Sequence, residues 1–166
     1  MNPAQLSREL REGHDPLLDN RRKMVGLALT AMGCMGLISL YQMGIVNHLP
    51  DPPLPGINSD KVDASAEAYE RLQMGDAFIG MVSYAGTAAL AAMGGRKRAR
   101  KQPWIPLAMA AKAGFDALPA ARLTYDQYAK HRAACIWCLI ASAATFATAA
   151  LALPESRMAV RHLRGR

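Results

Sequence analysis

The residues with the clearest chemical potential are two cysteines, Cys135 and Cys138, separated by Ile136 and Trp137. In a helix, positions i and i+3 lie on one face, so the two sulfur atoms can meet. A thiolate in such a pair is favoured, and the pair opens and closes a disulfide by exchange. The spacing therefore predicts thiol–disulfide chemistry, and two small buried hydrophobic side chains are the alternative.

A histidine, His131, lies four residues before Cys135. As a cation it would favour the Cys135 thiolate, and together with the two cysteines it would supply three ligands for zinc. The third interpretation is an interfacial histidine beside Lys130 and Arg132, and this one ranks first. Because the sequence offers no obvious fourth ligand nearby, the metal interpretation ranks last and we predict no metal.

Four apolar stretches reach or approach the length of about 20 residues that spans a bilayer. Small residues dominate them, and such residues let helix backbones approach closely in lipid. The pattern predicts an all-α protein, an integral-membrane four-helix bundle over residues 24–153, with a segment before it (1–23) and a basic tail after it (154–166). The predicted spans are residues 24–46, 75–95, 103–121 and 133–153.

The fourth stretch contains the cysteine pair, so its ends matter most. Pro154 follows the apolar run and is predicted to stop the helix. The pattern Thr124-x-x-Gln127 resembles a capping box, which predicts that the helix begins near Thr124 and projects from the membrane. Cys135 would then lie about three turns inside the helix, where the helix dipole acts only weakly on a thiolate.

The distribution of charge predicts the orientation in the membrane. The chain has 20 Lys and Arg against 13 Asp and Glu, and fourteen of the basic residues lie before the first span, between the second and third, or after the fourth. By the positive-inside rule both termini are cytoplasmic, and the cysteine pair lies near the outer surface, where disulfides persist in bacteria. The basic residues flank apolar blocks without any nucleic-acid-binding motif, so we predict membrane lipid and no nucleic acid as a partner.

Several other polar residues lie in or near the spans. Lys112 and Asp116 are one turn apart in the third stretch and are interpreted as a self-neutralising pair that faces the bundle interior. Cys34, in the first stretch, is predicted to be packing. The first loop begins with a proline-rich segment, and residues 58–74 predict a short amphipathic helix with Ser65 as its N-cap.

With the Cys-x-x-Cys at the outer end of a fourth predicted helix, the chain resembles the vitamin K epoxide reductase family over about residues 24–153. That family folds as a four-helix membrane bundle around a quinone. The resemblance implies that Cys135 and Cys138 are the active pair, that Cys138 faces the quinone and that Cys135 exchanges electrons with the donor. Ser65 stands where the family has a loop serine.

The resemblance also implies a set of quinone contacts. The family's second helix carries a polar contact, a glycine and then an aromatic residue, and these correspond to Asp76, Gly80 and Tyr84. A helix-terminal acid that favours the dipole is the equal alternative for Asp76. Ser142 stands where some members have a polar aromatic residue. Trp137 fits either an interfacial belt or a wall of the quinone pocket.

The chain departs from the family in its first loop. Typical members carry two further cysteines there, which relay electrons between the active pair and a partner. Asp51 and Ser59 occupy the matching places here. The two-step relay therefore cannot operate, so either a partner thiol reaches the pair directly or the activity has drifted.

The sequence thus predicts a multi-pass protein of the bacterial inner or plasma membrane that acts as an enzyme. It would couple the Cys-x-x-Cys pair to reduction of a quinone of ubiquinone or menaquinone type, drawing electrons from a thioredoxin-like or other thiol partner on the outer side and supporting extracytoplasmic disulfide formation. The first alternative is a catalytically drifted binding or assembly protein of the same fold. A metal-binding membrane protein is the weaker alternative.

Overall fold

The computed structural model describes residues 2–70 and 72–165, and every regular element within these ranges is helical. The all-α prediction is confirmed. The described helices are α1 (Pro3–Glu12), α2 (Pro16–Gln42), α3 (Ser59–Asp63), α4 (Asp76–Ala92), α5 (Arg98–Lys101), α6 (Trp104–Asp126) and α7 (Ile136–Arg164). A 3₁₀ turn, Ala66–Tyr69, follows α3, and a π-helical turn, Gln127–His131, follows α6.

Four long helices make the main packing contacts. Helix α2 packs against α4 and α7, and α6 packs against α7 and α4. The interfaces consist of small side chains, such as Ala31 and Ala91, which are fully buried. At Gly80 in α4 an added Cβ would lie 2.9 Å from the sulfur of Met35 in α2, so a larger residue here would displace the Met35 side chain.

Two helices, α2 and α7, are long and apolar enough to cross a membrane by length and composition. Helix α4 is apolar but shorter, with 17 residues, and α6 carries Lys112 and Asp116. The number of crossings and the orientation of the termini remain predictions.

The start of α7 differs from the prediction. Thr124 does not cap this helix. It lies in the last turn of α6, where its hydroxyl donates to the carbonyl of Ala120 at 2.7 Å. Arg132 then adopts a left-handed conformation with φ of 45°, which redirects the chain. Helix α7 therefore begins at Ile136, with Cys135 as its N-cap.

The end of α7 also differs, because the helix continues through Pro154 to Arg164. A proline inside a helix removes one hydrogen bond and costs about 3 kcal/mol. The residue after it, Glu155, is buried and makes two hydrogen bonds to the guanidinium of Arg98, at 2.8 and 2.7 Å. This ion pair fastens the helix beyond the proline, an interaction that the local sequence does not reveal.

The first long loop is less helical than predicted. Instead of one amphipathic helix over residues 58–74, the chain forms the short α3 and the 3₁₀ turn. Asn58 caps α3 by accepting the N–H of Lys61 at 2.9 Å. Ser65 precedes the 3₁₀ turn, and its side chain makes no capping hydrogen bond.

Candidate active site

The cysteine pair lies at the N-terminus of α7. The sulfur of Cys135 accepts the backbone N–H of Cys138 at 3.0 Å, so a cysteine acts as the N-cap of this helix. Cys135 is fully buried, whereas Cys138 is partly exposed. The helix dipole and the free N–H groups of the first turn favour negative charge at this position. The expectation that the dipole acts only weakly on Cys135 is therefore wrong.

Polar groups from two other segments bind the remaining N–H groups of this helix start. The side-chain oxygen of Gln127 accepts the N–H of Cys135 at 2.8 Å, and the hydroxyl of Ser59 accepts the N–H of Ile136 at 3.3 Å. The carboxylate of Asp51 holds Ser59 through its N–H at 2.7 Å and its hydroxyl at 2.6 Å. Gln127 and Ser59 thus position the reactive pair.

A carboxyl group that the sequence analysis did not select lies beside the two sulfurs. The thiol of Cys138 donates to Oδ1 of Asp63 at 3.3 Å. The other oxygen, Oδ2, is buried and has no hydrogen-bond partner among the described residues. Burial raises the pKa of Asp63 to about 6, and the charges of Asp76 and Asp51 act in the same direction.

A sequence signal for Asp63 exists, although it is weak. The buried residues of α3 are Ser59, Val62 and Asp63, which is the i, i+3, i+4 pattern of one helix face. An acid on the buried face of a short helix is unusual unless it is paired. Nothing in the sequence indicates that this face lies against Cys138, 75 positions away.

Three of these groups could together bind a metal ion. One carboxylate oxygen of Asp63 and the sulfurs of Cys135 and Cys138 all lie within 4.8 Å of one another. Two thiolates and a carboxylate suit zinc. His131, the third ligand in the metal interpretation that ranked last, is not in this group. That interpretation required one continuous helix from His131 to Cys135, but the two residues belong to different elements.

Three of the predicted quinone-binding residues, Asp76, Tyr84 and Ser142, form side-chain contacts with residues of neighbouring helices. Asp76 begins α4 as expected, and its Oδ1 accepts from the side chain of Gln42 at 2.9 Å. The hydroxyl of Tyr84 lies 2.9 Å from that of Thr145 on α7. The hydroxyl of Ser142 lies 3.2 Å from that of Thr124.

Trp137 differs from these residues because its polar atom is unpaired. Its Nε1 is buried without a hydrogen-bond partner among the described residues. The ring packs against the cluster that includes Ile38 and Cys135, and also against the cluster that includes Cys34. Trp137 therefore connects the cysteine end of the molecule with its middle and presents a free donor there. Cys34 packs in the core, as predicted.

The interior next to Tyr84 has little empty space. A cavity of about 10 Å³ is lined by Tyr84, Asp116 and Thr145, among others, and this volume holds about one water molecule. Beside it, the ammonium of Lys112 donates to Asp116 and to the hydroxyls of Ser83 and Thr87 on α4. The predicted inward-facing pair is confirmed.

Comparison with known proteins decides the family. The model of the vitamin K epoxide reductase family matches residues 23–153, which is well over half of the chain. The chain belongs to the vitamin K epoxide reductase family. Its members are membrane proteins, generally oxidoreductases that use quinones. No curated protein and no solved structure matches the chain.

The first loop has polar residues where the family typically has cysteines. Asp51 and Ser59, which the resemblance predicts in place of the two loop cysteines of typical members, are hydrogen-bonded to each other. Ser59 also contacts the backbone of Ile136, next to the active pair. This loop is therefore tied to α7 by polar contacts and carries no thiol that could relay electrons.

Proposed function

We propose that this protein is an integral-membrane enzyme that passes electrons from a thiol partner to a quinone through Cys135 and Cys138, supporting disulfide formation outside the cytoplasm. The observation that carries the proposal is the cysteine N-cap of α7, in which the Cys135 sulfur accepts the N–H of Cys138. The Cys135 sulfur thus lies at the positive end of the α7 dipole, and a cysteine pair with this spacing can exchange a disulfide. The second sulfur lies within 4.8 Å, so modest rotation of the side chains closes the disulfide.

The two cysteines have different roles. A thiolate of a thioredoxin-like or other partner on the outer side attacks Cys135, and Cys138 is released from the disulfide on the side of the quinone. Because Cys135 is fully buried beneath the loop that contains Ser59, this loop must move before the partner can reach it. The absence of loop cysteines in the sequence means that the exchange is direct.

A quinone of ubiquinone or menaquinone type would accept the two electrons and two protons that the dithiol loses. The buried, unpaired N–H of Trp137 suits a quinone oxygen. Asp76, Tyr84 and Ser142 would have to exchange present hydrogen bonds for contacts with the quinone. Since the cavity beside Tyr84 holds about one water molecule, a quinone ring enters there only if the helices separate locally.

The membrane arrangement belongs to the same proposal. The four long helices span the inner or plasma membrane of a bacterium, both termini are cytoplasmic, and the start of α7 lies at the outer surface. A membrane-impermeant maleimide, applied to intact cells, should label a cysteine introduced at exposed Glu67 and should not label one introduced at exposed Lys97. The reverse pattern would contradict this orientation.

The direct test is the redox state of the pair in membranes. Cells are trapped with an alkylating mass tag, with and without added quinone, for the wild type, Cys138→Ser and Cys34→Ala. We expect a pair that dithiol reduces and quinone reoxidises, loss of this cycle in Cys138→Ser, and a normal cycle in Cys34→Ala, whose cysteine is packed elsewhere. Retained quinone reduction in Cys138→Ser would reject the mechanism.

A second candidate is a protein of the same fold that binds or assembles without turnover. It is favoured by the complete burial of Cys135 and by the polar contacts that fix the loop over it. A pair that stays reduced whatever quinone is supplied would support this second function.

A further inference from the structure

We infer that Asp63 is the proton donor and acceptor of Cys138 during disulfide exchange. The inference deepens the proposed function, since it assigns the acid–base group that the exchange requires. It begins from contact, because the Cys138 thiol donates directly to Oδ1 of Asp63 at 3.3 Å. A general acid or base must lie within reach of the proton that it transfers, and Asp63 meets this condition.

The surroundings of Asp63 leave it few other roles. Its side chain is almost fully buried, and Oδ2 has no hydrogen-bond partner in the described part of the chain. It forms no ion pair there, so it does not act as a structural counterion. A buried carboxyl group without such a partner destabilises the fold. Because Asp63 lies against the Cys138 thiol, it can exchange a proton with that sulfur.

The groups around Asp63 come from several elements. Helix α7 contributes Cys135 and Cys138, α4 contributes Asp76, and the proline-rich loop contributes Asp51. The carbonyl of Asp63 accepts from Gln42 of α2, and Tyr41 of α2 is also close enough to interact with its charge. On the turn that packs against α3, Lys130 pairs with Asp126 and His131 is half-buried.

These neighbours favour a shared proton. Two acids 3.3 Å apart in a buried site resist carrying two negative charges, so Asp63 and Cys138 hold one proton between them over a range of pH. Burial raises the pKa of Asp63 to about 6, which brings the carboxyl group close to the pH at which the exchange would operate.

The step balances as follows. The partner thiolate forms a bond to the sulfur of Cys135, the bond between the Cys135 and Cys138 sulfurs breaks, and its electron pair passes to Cys138. Protonated Asp63 gives its proton to the Cys138 sulfur and becomes a carboxylate. In the reverse step, Cys138 returns the proton to Asp63 as its sulfur attacks the Cys135 sulfur of the mixed disulfide. The bond between Cys135 and the partner breaks, and the partner leaves as its thiolate. The acid thus stabilises the leaving sulfur in one direction and activates it in the other.

The test measures reduction of the Cys135–Cys138 disulfide by dithiothreitol in the purified full chain, from pH 5 to pH 8. Each rate is divided by the concentration of dithiothreitol thiolate. For the wild type we expect this normalised rate to fall as the pH rises and Asp63, which lies against Cys138, loses its proton. Asp63→Asn should give a flat profile and be about 10-fold slower at pH 6, a modest loss for general-acid catalysis.

The control is Glu67→Gln, which removes an exposed acid from the same loop and should keep the wild-type profile. If Asp63 acted through its charge alone, its neutralisation would make Cys138 a better leaving group and speed the reaction at every pH. A faster Asp63→Asn protein, or one with the wild-type slope, would therefore overturn the inference.

A second measurement covers the case in which Asp63→Asn is poorly folded. The infrared difference spectrum between the disulfide and dithiol forms of the wild type should contain a change in the carboxylic-acid region, and Asp63→Glu should shift this band. No carboxyl change in the wild type would also overturn the inference. Failure of the pair to form a disulfide under oxidant would reject the proposed function and this inference together, whereas a disulfide with an unaltered Asp63→Asn profile rejects the inference alone.

Discussion

The two ends of α2 bury charged groups in contrasting ways. In its second turn, the guanidinium of Arg21 donates to the five backbone carbonyls of residues 91–95, at and just beyond the C-terminus of α4, at 2.8 to 3.2 Å. Beside it, Arg98 is paired with Glu155. At the other end, near Gln42, the buried Asp63 accepts from the Cys138 thiol, and its Oδ2 has no hydrogen-bond partner among the described residues.

The contrast separates a structural end, formed by Arg21, Arg98 and Glu155, from a reactive end, formed by Asp63 and the cysteine pair. The buried guanidinium groups of Arg21 and Arg98 are matched by carbonyls or a carboxylate, as is expected where a helix C-terminus is buried. The carboxyl group of Asp63 makes no ion pair with a described residue and lies against the thiol of Cys138. Charge that is matched stabilises a fold, whereas charge that is left unmatched in the interior usually marks a functional site.

Breaking the structural end should have the largest effect. We expect Arg98→Ala to lower the free energy of unfolding by about 3–5 kcal/mol, because it leaves Glu155 buried without its partner. Thermal unfolding of the purified protein measures the change. Arg100→Ala, in the same short helix but exposed, is the matched control and should be nearly neutral. Equal stability of the two variants would mean that Arg21 alone holds this end.

Neutralising Asp63, in contrast, should stabilise the protein relative to the wild type as the pH rises. The folded pKa of Asp63, about 6, lies above its ordinary value of 3.8, so the folded state binds the extra proton and wild-type stability falls as pH rises from about 4 to 6. The stability of Asp63→Asn relative to wild type should therefore improve by about 2–3 kcal/mol between pH 4 and pH 8. Comparing the two pH values removes the part of the substitution's effect on stability that does not depend on pH. Unfolding at both pH values measures the difference, and Glu67→Gln should show no such change.

A smaller loss of stability is expected when the hydrogen bond between Gln127 and the backbone of Cys135 is removed. Gln127→Ala leaves the buried N–H of Cys135 without its acceptor, which should cost about 1–3 kcal/mol. The loosened cap should also make Cys135 react faster with a small alkylating reagent. Tyr128→Ala, at an exposed position on the same turn, is the control. Unchanged alkylation in Gln127→Ala would mean that Ser59 and the loop alone keep Cys135 covered.

The sequence predicts the parts of this site that depend on local spacing. The Cys-x-x-Cys pair, the apolar helices and the Lys112–Asp116 pair follow from residue type and helical period. The start of α7 does not, because Thr124 and Gln127 have the spacing of a cap, and the left-handed Arg132 moves the cap to Cys135. Asp63 and the continuation beyond Pro154 depend on contacts between distant segments, which a local pattern cannot specify.

The smallest effect is expected at two loop serines. Ser59 contacts α7 in the structure, whereas Ser65 is the residue that the family resemblance selects. Ser59→Ala removes the acceptor of the Ile136 N–H and the hydroxyl bound to Asp51, but it keeps the backbone bond to Asp51, so we expect a loss of about 1 kcal/mol. Ser65→Ala should be nearly neutral, because the side chain makes no capping bond.

Reduction of the disulfide by dithiothreitol extends this comparison to the chemistry. If contact with α7 decides the role of the loop, Ser59→Ala should accelerate access to Cys135 while Ser65→Ala leaves it unchanged. A larger effect of Ser65→Ala would mean that the loop rearranges during exchange and that Ser65, the residue matched to the family, acts in the rearranged form. The order of the two effects therefore tells whether the loop works in the closed arrangement or only after it has opened.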